Sequence, residues 1–148
     1  MQYTIDIQYA VQGKQIPDRK KIGKWAETAL AGIREEAVLT IRIVEGRESA
    51  SLNRKWRGKN KSTNVLSFPA GENPLMPELL GDLVLCAPVI LREAKQQGKP
   101  AERHWAHMII HGVLHLAGYD HIKKSDAKEM ESIEIKKLES LNFPNPYE

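Results

Sequence analysis

The sequence predicts a single α+β domain in which a small mixed β-sheet of about four strands is covered by helices. With 148 residues, the chain fits one domain that can bury a substantial core. Segments with the two-residue alternation of strands lie among segments with helical periodicity, without the regular βαβ order of a doubly wound fold. We find no internal repeat, low-complexity tract or linker. Residues 1–148 are therefore assigned to one domain.

The first half of the chain is predicted to contain three strands and two helices. β-branched and apolar residues alternate in three short segments, which is typical of half-buried strands. A helical pattern opens at Pro17-Asp18, and a second, shorter helix is expected to end near Gly58. The expected strands are 4–8, 38–44 and 63–68, the expected helices are 18–30 and 47–56, and the apolar face of the first helix comprises Ile22, Trp25, Ala26, Ala29 and Leu30.

The second half is predicted to contain one strand and three helices. Proline fits the first turn of a helix, and Pro88 and Pro100 each stand where a helical pattern starts. Ser125 or Asp126 is expected to cap the last helix. In order, the expected elements are a turn-rich loop at 71–77, a strand at 80–86, a helix at 88–98, the histidine-bearing helix after Pro100 and a helix to about Leu141.

Composition and charge favour an ordinary soluble domain with a mild preference for polyanions. The net charge is +3 and the pI is about 9.0, although a small positive excess is equally typical of a solvated surface. Cys86 is the only cysteine, so no internal disulfide can form. No apolar run approaches the roughly 20 residues of a membrane span, and the N-terminal residues lack the pattern of a signal peptide. We therefore expect a cytoplasmic protein with no membrane partner.

Residues 111–121 are the most informative segment, because they space three histidines as ligands of one metal ion. His111 and His115 are four residues apart, which places both imidazoles on one face of a helix. Gly118 can adopt the left-handed conformation that ends a helix, so that the chain turns back with His121. Three histidines with a fourth position left to water are typical of a catalytic zinc site. The spacing thus predicts one metal ion per chain, with zinc as the expected ion, held by His111, His115 and His121 on a metzincin-like zinc helix.

Two further histidines, His104 and His107, fall on the same stripe of this helix. A buried imidazole without a partner costs on the order of 1–3 kcal/mol, so packing alone does not explain four on one stripe. His107 is also four residues before His111, but His111 and His115 adjoin the glycine turn that returns His121, and the ligands are assigned to that trio. His104 and His107 are interpreted as supporting, substrate-facing or core residues.

The spacing His-x-x-x-His-x-x-Gly-x-x-His matches the zinc site of metzincin peptidases with one departure. Those enzymes carry glutamate directly after the first histidine as the general base, whereas this chain carries Gly112. Peptide hydrolysis is therefore disfavoured. Asp120, beside the third histidine, could orient a histidine or take a proton, and an exposed loop carboxylate is an equal alternative.

Residues 53–63 form a basic segment, which holds five lysine and arginine residues near a predicted helix end. Such runs are often only solvated faces. In a chain with an open metal site, however, Arg57 could hold a phosphate through two parallel hydrogen bonds. Lys55, Lys59 and Lys61 could contact neighbouring phosphates of a nucleic acid as point charges. Trp56 could stack on a base, but a position in the core is the expectation.

Taken together, these segments resemble the bacterial YbeY family, single-domain metal-dependent endoribonucleases of rRNA maturation. The resemblance is dense over residues 50–147 and present only in outline before them. It is carried by Leu52-Asn53, Trp56, Arg57-Gly58-Lys59, Thr63 to Pro69, Gly81 to Val84, Gly98-Lys99-Pro100, His104 to His107, His111-Gly112, Leu114-His115-Leu116 and Gly118-Tyr119-Asp120-His121.

This resemblance implies zinc at His111, His115 and His121 and a catalytically important Arg57. It also implies single-stranded RNA as substrate, action at the 3′ end of 16S rRNA on the small ribosomal subunit, and a part in ribosome quality control. Ribosome-assembly proteins are further expected partners.

The leading hypothesis is therefore a cytoplasmic, zinc-dependent endoribonuclease in which Arg57 stabilises charge that develops on phosphorus. The general base is left unassigned. One alternative is a zinc-stabilised ribosome assembly factor with little intrinsic catalysis. Another is a metallohydrolase of peptides or small molecules, against which Gly112 argues. Three imidazoles also suit nickel, iron and copper, so the residues do not select the metal.

Overall fold

The structure is a computed structural model that describes residues 2–119 and 124–148. The described residues form four strands and five helices. In chain order these are β1 Gln2–Tyr9, α1 Arg19–Leu30, β2 Glu36–Val44, α2 Gly46–Arg57, β3 Val65–Pro69, β4 Leu79–Cys86, α3 Ala87–Gln96, α4 Ala101–Leu116 and α5 Lys124–Ser140.

The four strands form one mixed sheet in the order β1-β2-β4-β3. β1 pairs with β2 and β2 pairs with β4 in parallel, whereas β3 pairs with β4 in antiparallel orientation at one edge of the sheet. The parallel pair β1 and β2 is connected through α1, as parallel strands require a crossover. The predicted α+β class with a four-stranded mixed sheet is thus confirmed.

The first helix shows how closely local sequence determines the elements. The side chain of Asp18 accepts a hydrogen bond from the backbone N–H of Lys21 at 2.9 Å, which caps α1 at its N-terminus. All five residues of its predicted apolar face are buried.

The second helix ends near the predicted residue. Gly58 follows α2 with a φ of +71°, a left-handed conformation that glycine adopts without strain.

The main core lies between α4 and one face of the sheet. Leu83 and Leu85 of β4 and Ile109 of α4 are fully buried in it. The other face of the sheet is partly covered by α2, where Val44, Leu66 and Val84 form a smaller apolar cluster. Because successive side chains of a strand point to opposite faces, Leu83 and Val84 belong to the two different cores. The histidine helix therefore sits on the opposite side of the sheet from α2.

The predicted starts of β3 and α5 are wrong. β3 begins at Val65 rather than Thr63, because the backbone of Thr63 is held by Ser49 and because Asn64 Oδ1 accepts from the backbone N–H of Val65. The predicted caps Ser125 and Asp126 lie inside α5, which already includes Lys124. Within residues 2–119 and 124–148, no helix is long and apolar enough to cross a bilayer.

Candidate metal centre and basic segment

The histidines of α4 form the predicted stripe along one face of the helix. His104 and His107 are buried, whereas His111 and His115 are half-buried. The ring centroids of His104 and His107 are 6.2 Å apart, and those of His107 and His111 are 6.3 Å apart. The stripe thus becomes more accessible toward the C-terminal end of α4, where the metal ligands are predicted.

A glutamate of α5, which the sequence analysis did not single out, joins two of these histidines. Glu134 is 1% exposed, and its Oε1 lies 2.8 Å from Nε2 of His107 and 3.2 Å from Nδ1 of His111. The hydroxyl of Tyr147 donates to the same oxygen at 2.9 Å. One buried carboxylate oxygen therefore collects hydrogen bonds from α4 and from the C-terminal tail.

The charge of Glu134 determines which imidazole nitrogens carry hydrogen. Burial by itself would raise the pKa of this carboxyl group, but hydrogen bonds to His107 and His111, together with charge attraction from both, outweigh burial and lower the pKa to about 2. An ionised carboxylate can only accept hydrogen bonds, so this contact favours the His111 tautomer with hydrogen on Nδ1. In a neutral His111 the lone pair then belongs to Nε2, the atom that a metal would need.

His107 contacts the same carboxylate. Its Nε2 lies 2.8 Å from Oε1 of Glu134, and its Nδ1 is buried without a hydrogen-bond partner among the described residues. His107 and His111 therefore share one carboxylate oxygen of Glu134.

His104 belongs to a separate polar cluster at the other end of α4. Its Nε2 lies 2.9 Å from Oε1 of Glu93 in α3, and the amide of Asn64 donates to both oxygens of Glu93 at 3.2 and 3.3 Å. Burial lowers the pKa of His104 despite the opposing hydrogen bond to Glu93. His104 thus connects α4, α3 and the start of β3 as a core residue.

The C-terminal end of α4 turns as predicted. Gly118 has a φ of +109°, which side chains with a Cβ rarely adopt. The guanidinium of Arg34 donates to the carbonyl oxygen of Ala117 at 2.6 Å and so holds the last turn of the helix. His121 and Asp120 lie outside the described residues, so the return of the third histidine stays a prediction.

The described histidines fit the chemistry of a metal site. His111 and His115 are one turn apart and half-buried, and a carboxylate on the other nitrogen of a metal-binding histidine is the usual partner in such sites. Within residues 2–119 and 124–148, no three histidine, cysteine, aspartate or glutamate side chains come together as a metal site. A complete trio requires His121, and the metzincin-like zinc helix accordingly remains a prediction.

The packing of α4 explains why Gly112 occupies the position that holds glutamate in metzincins. A Cβ at residue 112 would lie 2.3 Å from Cδ1 and 3.0 Å from Cδ2 of Leu83. Leu83 is fully buried, so its side chain has little room to move. Close contact between α4 and β4 therefore leaves no space for a side chain directly after His111.

Arg57 lies at the last position of α2 and reaches the edge strand of the sheet. Its Nη2 donates to the carbonyl oxygen of Ser67 in β3 at 3.0 Å. Ser49, Asn53 and Arg57 are four residues apart and share one stripe of α2. Ser49 bonds to the backbone of Thr63 at 3.1 Å, and Asn53 donates to the carbonyl oxygen of Lys61 at 2.8 Å. Helix α4 also packs on β3, so Arg57 and the histidine helix flank the same strand.

The lysines of the basic segment are exposed. Lys55, Lys59 and Lys61 all project into solvent, with Lys55 Nζ 5.3 Å from the ring centroid of Trp56. Trp56 is 60% exposed, so the expected core position is wrong. Its ring meets Phe68 edge to face at 6.3 Å, beside a pocket of about 740 Å³ between α2 and the sheet. Arg57 also lines this pocket.

Comparison with known proteins places the chain among the endoribonucleases, which are hydrolases that cut RNA internally. The family described as Endoribonuclease YbeY matches residues 6–142. The chain therefore belongs to the YbeY family, and it is an endoribonuclease of rRNA processing. Its fold is similar to the solution structure of TM1509 from Thermotoga maritima, with a TM-score of 0.67 and 26% identity over 93% of this chain and 89% of that chain.

Proposed function

We propose that this chain is a zinc-dependent endoribonuclease that cuts single-stranded RNA in the maturation of the 3′ end of 16S rRNA. The observation that carries the proposal is the pair His111 and His115 on α4, with Nδ1 of His111 3.2 Å from a buried carboxylate oxygen. Arg57 contacts β3, a strand on which α4 also packs. The same activity would serve ribosome quality control. Its partners would be the small ribosomal subunit and ribosome-assembly proteins, in the cytoplasm.

One zinc ion per chain would be held by His111, His115 and His121. The hydrogen bond from Nδ1 of His111 to Glu134 supports this assignment, because it leaves the Nε2 lone pair for a cation. When bound, zinc would act as a Lewis acid toward the scissile phosphate. The absence of a glutamate after His111 supports a substrate other than a peptide.

Arg57 would bind the phosphate that is cleaved. A guanidinium carries five N–H donors in a planar fork, and the contact with Ser67 uses Nη2 alone among the described contacts of this side chain. That contact restrains the side chain while other donors can hold two phosphate oxygens. Arg57 would then stabilise the charge that grows on those oxygens during cleavage. Lys55, Lys59 and Lys61 would hold the flanking phosphates.

The direct test is a cleavage assay on a short 16S rRNA fragment with a 3′ extension, combined with metal analysis of each variant. Arg57→Ala should lose about 100-fold or more in rate with its zinc content unchanged, as expected when a charge-stabilising donor is removed. Arg54→Ala is the matched control, since Arg54 is an exposed arginine of the same helix turn. Wild-type rates in Arg57→Ala would refute its assigned role.

Two further measurements distinguish the attacking group and separate catalysis from a purely structural role. A cyclic phosphate on the product would identify the 2′-hydroxyl of the substrate as the attacking group and exclude direct attack by water. A His115→Ala variant that is folded and inactive supports catalysis. Loss of folding and of ribosome association together would instead indicate a zinc-stabilised assembly factor.

A further inference from the structure

The inner face of α5 carries one residue that does not match its neighbours. Met130, Glu134 and Leu138 are four residues apart, and each is 1% exposed. Residues at this spacing form one stripe of a helix, which here packs into the core. A carboxylate in the middle of an apolar stripe is unfavourable unless specific partners compensate for its burial. Its partners therefore indicate its role.

Those partners converge on the histidine stripe of α4. Glu134 Oε1 lies 3.2 Å from Nδ1 of His111 and 2.8 Å from Nε2 of His107. His107 is itself buried and is held edge to face by Tyr147, with ring centroids 5.4 Å apart. The carboxylate thus has one neighbour that is fixed by packing and one, His111, that is half-buried at the candidate metal site.

The C-terminal tail completes this arrangement. The hydroxyl of Tyr147 donates to Glu134 Oε1 at 2.9 Å and lies 3.3 Å from Nε2 of His107. The backbone N–H of Tyr147 donates to Oδ1 of Asn145 at 2.8 Å, which turns the tail back toward α5. Lys137 donates to the carbonyl oxygen of Ala31 and so connects α5 to the end of α1. The tail therefore contacts Glu134 directly, and α5 is itself anchored to α1.

We propose that Glu134 is a positioning residue, which fixes the tautomer and ring orientation of His111 so that Nε2 faces a metal, and that Tyr147 holds Glu134 in place. This inference rests on the proposed metal role of His111. It assigns a function in metal binding to α5 and to the C-terminal tail, neither of which supplies a predicted ligand. Glu134 would contact neither the metal nor the substrate.

The first test reads the tautomer of His111 in metal-free protein by nitrogen-15 NMR of the histidine side chains. The wild type should carry hydrogen on Nδ1 of His111, and Glu134→Ala should shift hydrogen to Nε2. Hydrogen on Nε2 in the wild type, or the same tautomer in both proteins, would overturn the proposal. This measurement uses neither zinc nor RNA, so it remains decisive even if the proposed zinc site is wrong.

The second test measures zinc affinity by competition with a chelator, after the fold of each variant is checked by circular dichroism. Glu134→Gln should weaken zinc binding by about 10- to 100-fold, as is typical when a partner of a metal-binding histidine is removed. Tyr147→Phe should give a smaller loss, and Glu139→Gln, at an exposed site of α5, should give none. A folded Glu134→Gln variant with wild-type zinc affinity contradicts the proposal. If Glu134→Gln does not fold, Tyr147→Phe decides in the same way, because it leaves the carboxylate in place.

Discussion

Gly112 offers a sharp test of the packing that brings the histidine helix onto the sheet. Alanine is the better helix former, by about 1 kcal/mol, so Gly112→Ala would stabilise an exposed helix. In this structure the added Cβ would lie 2.3 Å from Cδ1 of Leu83 and 3.1 Å from its Cγ. Carbon atoms make favourable contact at roughly 3.5–4.0 Å. Either α4 must move away from β4 or Leu83 must leave its rotamer.

The size of the effect follows from comparison with a second glycine. Gly23 lies inside α1, and a Cβ there would have nothing within 4 Å. The two substitutions share the same gain in helix propensity, which therefore cancels in their difference. What remains is the cost of overpacking a fully buried site, about 1–3 kcal/mol. The free energy of unfolding of Gly112→Ala should thus be about 1–3 kcal/mol lower than that of Gly23→Ala.

The assay is urea unfolding of both variants and the wild type, all without metal, with the slope of each transition checked for equality. Gly23→Ala should be slightly more stable than the wild type. Replacing Leu83 with alanine should reduce the penalty of Gly112→Ala, because the clashing methyl group is removed. Equal stability of Gly112→Ala and Gly23→Ala would refute the argument that packing excludes a side chain after His111.

Three further predictions concern the face of the sheet that α2 partly covers and the basic segment. The hydrogen bond from Arg42 lowers the pKa of Glu48 below its ordinary value of 4.5. The pair therefore stabilises the fold above that pH, and this contribution is lost as the pH falls. In urea titrations, Glu48→Gln should lower the free energy of unfolding by less than about 1 kcal/mol at pH 7 and leave it unchanged near pH 2. Trp56→Phe should remove the acrylamide-quenchable part of the tryptophan fluorescence, and full retention of quenching would contradict the exposure of Trp56. The binding constant for single-stranded RNA falls with salt, and Lys59→Ala and Lys61→Ala should each make the plot of its logarithm against log salt less steep by about 0.7. An unchanged slope would show that the lysine does not contact the RNA.

The histidine stripe of α4 and the turn that follows were predictable because one local pattern determines both. His111 and His115 are four residues apart, and Gly118 stands where the helix must end. The conformation of Gly118 confirms the turn, with a φ of +109°. Sequence spacing of this kind needs no knowledge of distant contacts.

Glu134 was not predictable in the same way, since its role depends on contacts between helices. It is 23 residues from His111, and no local motif joins the two. A weaker signal was present, because Glu134 interrupts the apolar spacing of Met130 and Leu138. A charged residue on an otherwise apolar stripe is worth testing as a partner of a buried polar group.

Trp56 was wrongly expected in the core because large aromatic residues of amphipathic helices usually face inward. Helix α2 is held differently. Its buried residues are Ser49 and Asn53, which bond to the backbone of the following loop. Because polar side chains form the buried stripe of α2, Trp56 is not on that stripe. It lies beside an open pocket instead.

The central claim is tested most directly by the zinc content of the purified protein and of single histidine variants, measured by mass spectrometry. The wild type should hold one zinc ion per chain, and replacement of His111, His115 or His121 with alanine should each remove it. His104→Gln should keep its zinc, because His104 pairs with Glu93 at the far end of the helix. Full zinc retention in the His121→Ala variant would contradict the three-histidine site.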